Sequence, residues 1–193
     1  MKAIFEQGEF NAFSTVRLDE ARSNIQEVYQ FAQVKKTVFI SHKHDELNDL
    51  KGVLGFLEQN YGVKVYIDSQ DPSMPKVTSS ETAMQIKNRI EKCNKFILLA
   101  TNGAIDSKWC NWELGFGDAK KYRDHIALLP MKPAGTYDSS YKGNEYLSIY
   151  PYISYYNGTE KFSNGTPVQK GYYVLTQEKD GVYITLLEDW LKK

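Results

Sequence analysis

The chain has 193 residues, 41% hydrophobic and 25% charged, which suits one globular domain with trimmings and excludes a disordered chain. Lys+Arg and Asp+Glu are 24 each, so the formal net charge is zero, without the basic excess of a dedicated nucleic-acid binder or a field that would steer a polyanion. No apolar run approaches the ~20 residues of a membrane helix, the opening MKAIFEQGEFNAF has no export-signal pattern, and two cysteines, Cys93 and Cys110, fit neither a disulfide scaffold nor a metal site. The expectation is a cytoplasmic protein with no membrane and no nucleic-acid partner.

Taken in chain order, Arg17 to Ala32 carries apolar residues at Leu18, Ala21, Ile25, Val28 and Phe31, a helical spacing. TVFIS, Thr37 to Ser41, is a β-branched and aromatic run and predicts a buried strand. Asp45 opens a helix with Leu47, Leu50, Leu54 and Leu57 on one face, and Gly62 stops it. VKVYID, Val63 to Asp68, predicts the second strand, and a polar loop with prolines runs from Ser69 to Val77. Thr78 with Glu81 reads as a capping box for a helix carrying Ala83, Ile86 and Ile90. On that helix Lys87 and Arg89 read as solvated. KFILLA, Lys95 to Ala100, is almost wholly apolar, as in the middle of a parallel sheet. Trp109, Trp112 and Phe116 mark the next helix, and HIALLP, His125 to Pro130, the fourth strand. Lys132 to Glu145 reads as a long surface loop and YISYY, Tyr152 to Tyr156, as a fifth strand. The tail has a hairpin-like turn at Lys179-Asp180-Gly181 and a closing helix with Ile184, Leu187, Trp190 and Leu191.

Strands alternating with helices predict an α/β fold with a parallel sheet covered on both faces. The simplest arrangement is a flavodoxin-like five-stranded sheet in the order 2-1-3-4-5. Ligands of such sheets sit beyond the carboxyl ends of the strands, where the first and third separate. The residues delivered there are Ser41 to Asp45, Asp68 with its loop, and Thr101 to Trp109. Several chemistries fail. There is no Gly-rich phosphate loop and no G-x-S-x-G elbow. The third strand ends in Ala100-Thr101, without the aspartate of a phosphorelay receiver. His42 and His44 have no third ligand nearby in sequence, so no metal is expected.

The remaining chemistry is SKWCNWEL, Ser107 to Leu114. Ser107 reads as a helix cap, and Trp109 and Glu113, four apart, share a helical face. A carboxylate against an indole is partly desolvated, which favours its protonated form. It would hold or deprotonate a sugar hydroxyl, or stabilise developing positive charge. Spacing alone favours the plainer reading, a helix glutamate near the N-terminal dipole with Trp109 in the core.

TVFISHKHD, the loop after VYID and S-K-W-C-N-W-E-L together resemble the TIR domain (Toll/interleukin-1 receptor homology) in its bacterial form. Ser41 and Asp45 match the family's opening box, and Asp68 to Val77 stands where its BB loop stands. Trp109-x-x-x-Glu113, with Cys110 and Leu114, matches the helix that carries its catalytic glutamate. The resemblance runs from about Lys36 to Tyr156 and extends, through chain size and flanking segments, to stand-alone bacterial TIR proteins such as those of Thoeris anti-phage systems. The chain then divides into a helical extension over 1–35, a TIR domain over 36–156 and, without a counterpart in the minimal domain, a hairpin and helix over 157–193 expected to pack on it. The resemblance implies an NAD glycohydrolase or cyclase that breaks the nicotinamide–ribose bond, with NAD as substrate, no other cofactor, and an ADP-ribose-derived signal read by a downstream effector. Glu113 takes the catalytic role. Phe39, Ser41, Asp45, Asp68 and Trp109 become substrate-binding candidates, each with a plainer alternative: core for Phe39, helix cap for Asp45, turn for Asp68. Self-association through the BB loop region, Ser69 to Val77, is also implied. The alternative function is a non-catalytic TIR–TIR adaptor.

Overall fold

The computed structural model describes residues 1–14, 36–67 and 79–193. The helix expected over Arg17 to Ala32, Asp68, the Ser69 to Val77 loop and Thr78 lie outside the described residues.

Among the described residues eight strands form one sheet: β1 (Phe5–Glu6), β2 (Thr37–Ser41), β3 (Lys64–Tyr66), β4 (Lys95–Thr101), β5 (Ile126–Lys132), β6 (Tyr152–Tyr156), β7 (Gly171–Glu178) and β8 (Gly181–Leu186). The helices are α1 (Leu47–Tyr61), α2 (Ser80–Lys92), α3 (Asn102–Ile105), α4 (Lys108–Lys121), α5 (Asn144–Ile149) and α6 (Leu187–Lys192). The order is β3-β2-β4-β5-β6-β7-β8. Its first five members are parallel and reproduce the expected 2-1-3-4-5 arrangement. The class is therefore the expected one, but the sheet is larger, because β7 and β8 continue it antiparallel beyond β6.

Alternation along the buried strands sends side chains to two cores. Phe39, Phe96 and Leu98 join Ile86, Ile90, Cys110 and Leu114 beneath α2 and α4. Val38, Ile40, Ile97 and Leu99 join Leu50, Leu54 and Leu57 of α1 and Leu187, Trp190 and Leu191 of α6 on the other face. Gly62 ends α1 in the left-handed conformation, φ 62°, with its N–H on the Glu58 carbonyl.

The sheet splits between β5 and β6. Leu128 donates its N–H to Pro151 O on the β6 side, and two residues on Pro130 has no N–H to continue that ladder. β1 fills the opening: it pairs with β5 at Met131 and Lys132, while Lys2 bridges to Tyr155 of β6. Of the 1–35 segment expected to be helical, the described residues thus form a strand of the sheet and a 3-10 turn (Asn11–Phe13). Phe5 and Phe10 are buried in the core under α1. The carboxylate of Asp49 accepts from Gly8 N–H (2.5 Å) and Gln7 Nε2 (3.0 Å), fastening the segment to α1. Gly52 permits the contact, since a Cβ there would lie 2.7 Å from the Phe10 carbonyl.

Four local expectations are corrected. The cap of α2 is Ser79, whose Oγ accepts from Thr82 N–H while Thr82 Oγ1 accepts from Ser79 N–H; the box lies one residue later than Thr78–Glu81. Ile184 lies in β8 opposite Leu175, and the closing helix begins only at Leu187, because the β-branched run of β8 completes the hairpin first. The Lys132 to Glu145 loop contains a 3-10 turn, Asp138–Ser140, and runs into α5. Arg89 is buried, its guanidinium 5.2 Å from the Tyr66 ring centroid, and the Lys87 ammonium lies over the Trp112 and Phe116 rings. Their apolar stems cover aromatic surface that solvated side chains would leave bare.

Candidate active site

The carboxyl ends of β2 and β4 carry the polar cluster of interest. Ser41, the last residue of β2, shares a sheet face with Phe39 and points toward α4. It is fully buried, and its Oγ donates to Glu113 Oε2 at 2.5 Å. Glu113 is only 1% exposed on the inner face of α4. This hydrogen bond holds the Glu113 carboxyl against the end of β2.

α4 is anchored so that this carboxylate arrives in place. Ser107 Oγ accepts from Cys110 N–H, the cap expected from sequence. Asn111 Nδ2 donates to the carbonyls of Ile105 and Ser107 (2.8 Å each), while its Oδ1 accepts from Tyr146 Oη at 2.5 Å. Asn102 in turn ties α3 to the following loop, donating to Ser140 O and accepting from Lys142 N–H. The α3–α4 corner is thus stapled from outside by the loop and α5.

A second carboxylate reaches the same rim from the other face. Thr101, the last residue of β4, shares parity with Ile97 and Leu99 and faces the α1 side. Its Oγ1 donates to Glu46 Oε2 at 2.5 Å and accepts from Ala104 N–H at 3.0 Å. Burial pushes the Glu46 carboxyl up from its ordinary value, and the Thr101 hydroxyl works against that. Gly103 leaves room for it: a Cβ there would sit 2.6 Å from Glu46 Oε1 and 2.7 Å from Lys43 Cδ. Ser41–Glu113 and Thr101–Glu46 therefore flank the point where β2 and β4 part, one on each sheet face.

The other sequence candidates are placed as follows. Phe39 is fully buried in the core, its ring 5.6 Å from both Tyr66 and Phe96. Trp109 is half-buried on the first turn of α4 and stacks on Trp112 at 4.9 Å, which continues to Phe116 at 6.3 Å. Asp45 is exposed and pairs with Lys43 Nζ at 3.0 Å, a contact that holds its carboxyl below the ordinary value. It does not cap α1: the cap position belongs to Glu46, which makes no capping bond. The helix starts one residue too late for Asp45 to reach its free amides. Asp68 and the Ser69 to Val77 loop lie outside the described residues. His42 is buried with its ring stacked 6.0 Å from that of exposed His44. Among the described residues, no group of three or more His, Cys, Asp or Glu side chains converges as metal ligands would.

Sequence reasoning missed Glu46. It stopped at Asp45, one residue earlier in HDEL; the available signal was a second acid at the strand-to-helix junction, and its orientation is set by Thr101, 55 positions away.

The family model described as TIR domain matches residues 38–165. A relative from Bacillus cereus, named "Probable 3' cyclic ADP-D-ribose synthase ThsB'", is 32% identical over 119 residues. The match covers 61% of this chain and 60% of the relative's length. With the match to the family model covering all the elements that build the rim, the chain belongs to the TIR domain family.

Proposed function

We propose that this chain is an NAD glycohydrolase or cyclase of bacterial anti-phage defence, acting at the rim between β2 and β4. The observation that carries the proposal is the buried Ser41–Glu113 hydrogen bond at a sheet switch point. A scaffold has no need of a buried acid there, and burying one is costly unless a partner compensates it. The name of the Bacillus cereus relative supports the same class of chemistry.

Nicotinamide leaves NAD as a neutral group, so the step asks little of a general acid. The demand is at the ribose, where the bond breaks through an oxocarbenium-like transition state. Glu113 holds a ribose hydroxyl or faces the growing positive charge, with Ser41 keeping its carboxylate oriented. Trp109, half-buried one turn before Glu113, offers an aromatic wall to the nicotinamide riboside. Glu46 supplies a second acid across the rim. Capture of the ribosyl cation by water yields ADP-ribose, and capture by a nucleophile of the same molecule yields a cyclic isomer, the product class that an effector protein would sense.

The test is product analysis after incubation with NAD at high protein concentration, with Glu113→Gln beside the wild type. Nicotinamide released by wild type alone, with a co-product whose mass separates hydrolysis from cyclisation, is the expected result. Equal release by Glu113→Gln removes the assignment, and no release by an assembled wild type favours the adaptor.

A further inference from the structure

β8 ends the strand order, and among the described residues no strand pairs with its outer edge. Soluble proteins blunt such edges with charges, prolines or bulges. The strand Gly-Val-Tyr-Ile-Thr-Leu has no charged residue and no proline, and its register against β7 runs without a bulge from Glu178↔Gly181 to Tyr173↔Leu186. Its apolar side chains are unusually bare: Val182 is 61%, Tyr183 54% and Leu186 38% exposed.

The direction of its free backbone groups follows from the hairpin. The turn Lys179-Asp180 has two residues, so the closing pair Glu178 and Gly181 exchanges both backbone bonds. In an antiparallel ladder bonded and non-bonded pairs then alternate. Gly181, Tyr183 and Thr185 spend their N–H and C=O groups on β7, and Val182, Ile184 and Leu186 turn theirs outward.

From this we propose that β8 pairs with β8 of a second copy of this chain, antiparallel about a two-fold axis at Ile184. The proposal is independent of the catalytic reading. The outward set 182, 184 and 186 is symmetric about its middle member, so a self-pairing in that register uses the outward groups of Val182 and Ile184 and the N–H of Leu186, whose carbonyl heads α6. An isologous interface requires this self-complementarity. The same register sets Val182 of each copy against Leu186 of the other and Ile184 against its mate. These three side chains share a face with Tyr173, beside the groove that Phe162 and Pro167 help to line. Pairing would cover the two bare aliphatics together. Charge agrees with it at the strand ends. In this register Lys179 of each copy stands opposite Asp189 of the other, while Asp180 accepts from Tyr183 Oη at 2.7 Å and Glu188 pairs with Lys192 Nζ at 2.5 Å within its own chain. The helix itself turns away onto the far core through Leu187, Trp190 and Leu191, so it does not obstruct the edge.

The test is sedimentation velocity of the full chain over a range of concentration, with Val182→Lys and Ile184→Cys. Wild type should dimerise reversibly. Val182→Lys, at an exposed site, should keep the wild-type melting temperature at low concentration and weaken dimerisation at least ~10-fold, because it places a charge on the apolar edge. Ile184→Cys should form a disulfide-linked dimer on mild oxidation, since directly bonded antiparallel residues have Cα atoms about 5.5 Å apart, within disulfide reach; Cys93 and Cys110 are buried and do not compete. A wild type that stays monomeric overturns the proposal, and a loss of melting temperature in Val182→Lys would then identify another part of the same chain as the cover. Dimerisation unaffected by Val182→Lys, or a dimer in which Ile184→Cys forms no disulfide, assigns the contact to another face and overturns it equally.

Discussion

Two ionisable side chains are buried to the same degree at opposite ends of the central strands. Glu113 and Lys95 are each 1% exposed. Glu113 lies at the carboxyl ends, bonded to the Ser41 hydroxyl at a rim where the sheet parts. Lys95 lies at the amino end of β4, and its surroundings leave it nothing to do. Its ammonium donates to the Asp124 carbonyl (3.3 Å), meets His125 Nδ1 (3.1 Å) and sits 4.6 Å from the Trp190 ring centroid. Trp190 Nε1 donates to the same carbonyl at 2.8 Å, so α6 closes over the lysine like a lid fixed at both edges. Burial of a charge therefore does not by itself mark a functional group; under the proposed function, position in the fold is what separates Glu113 from Lys95. One end of a parallel sheet gathers loops and helix N-termini around a crevice, and the other is sealed by packing.

The sharpest way to break this comparison is at the acid. Glu113→Gln keeps the volume and removes the charge, and we expect NAD turnover to fall at least ~10²-fold with the melting curve retained. Turnover near wild type would put Glu113 in the same structural class as Lys95. Next comes its partner. Ser41→Ala leaves the carboxylate without its hydroxyl donor, and kcat should fall about 10-fold, the worth of one hydrogen bond to a charged group. An unchanged kcat would mean that the bond only fills space.

Lys95→Met tests the other end and should leave NAD turnover alone. Burial lowers the Lys95 pKa from 10.5 to about 8. Unfolding then takes up a proton anywhere between those two values, so wild-type stability rises with pH through that window, and the cost of the buried ammonium is fully present below about 8. Denaturant melts should show this rise in wild type and its loss in Lys95→Met, whose stability at pH 7 should be equal or higher by about 1 kcal/mol. Parallel pH profiles would show that the ammonium keeps its proton in the folded chain. The smallest effect belongs to Asp45→Ala. Because Asp45 is exposed and its ion pair with Lys43 lies at the surface, we expect a change within about 0.5 kcal/mol. A loss near 1 kcal/mol would restore it as a helix cap.

The parts of the fold legible in the sequence were those written in local pattern. The apolar runs at Thr37, Lys95 and Ile126, the αL glycine at Gly62 and the serine cap at Ser107 each depend on neighbours within a few residues. The rim could be located too, because right-handed crossovers leave few places for it. Glu113 stood out through its helix motif. The illegible parts depend on distant partners. Glu46 was hidden because Thr101 orients it, Arg89 because the Tyr66 ring receives it, and Lys95 because α6 covers it.

The sequence alone thus determined the layer order and the end of the sheet that holds the rim, since these follow from periodicity, caps and handedness, while the helix that brings an acid to it was picked out by the family resemblance of its motif. Tertiary structure alone decided that residues 1–14 enter the sheet through the gap at Pro130, that the tail extends the sheet before closing it, and which acid of the Asp45-Glu46 pair turns inward. The physical reason is common to all three. A strand's neighbour and a carboxylate's hydrogen-bond partner are chosen by what remains unsatisfied once the core has closed, and a linear pattern carries no record of that remainder.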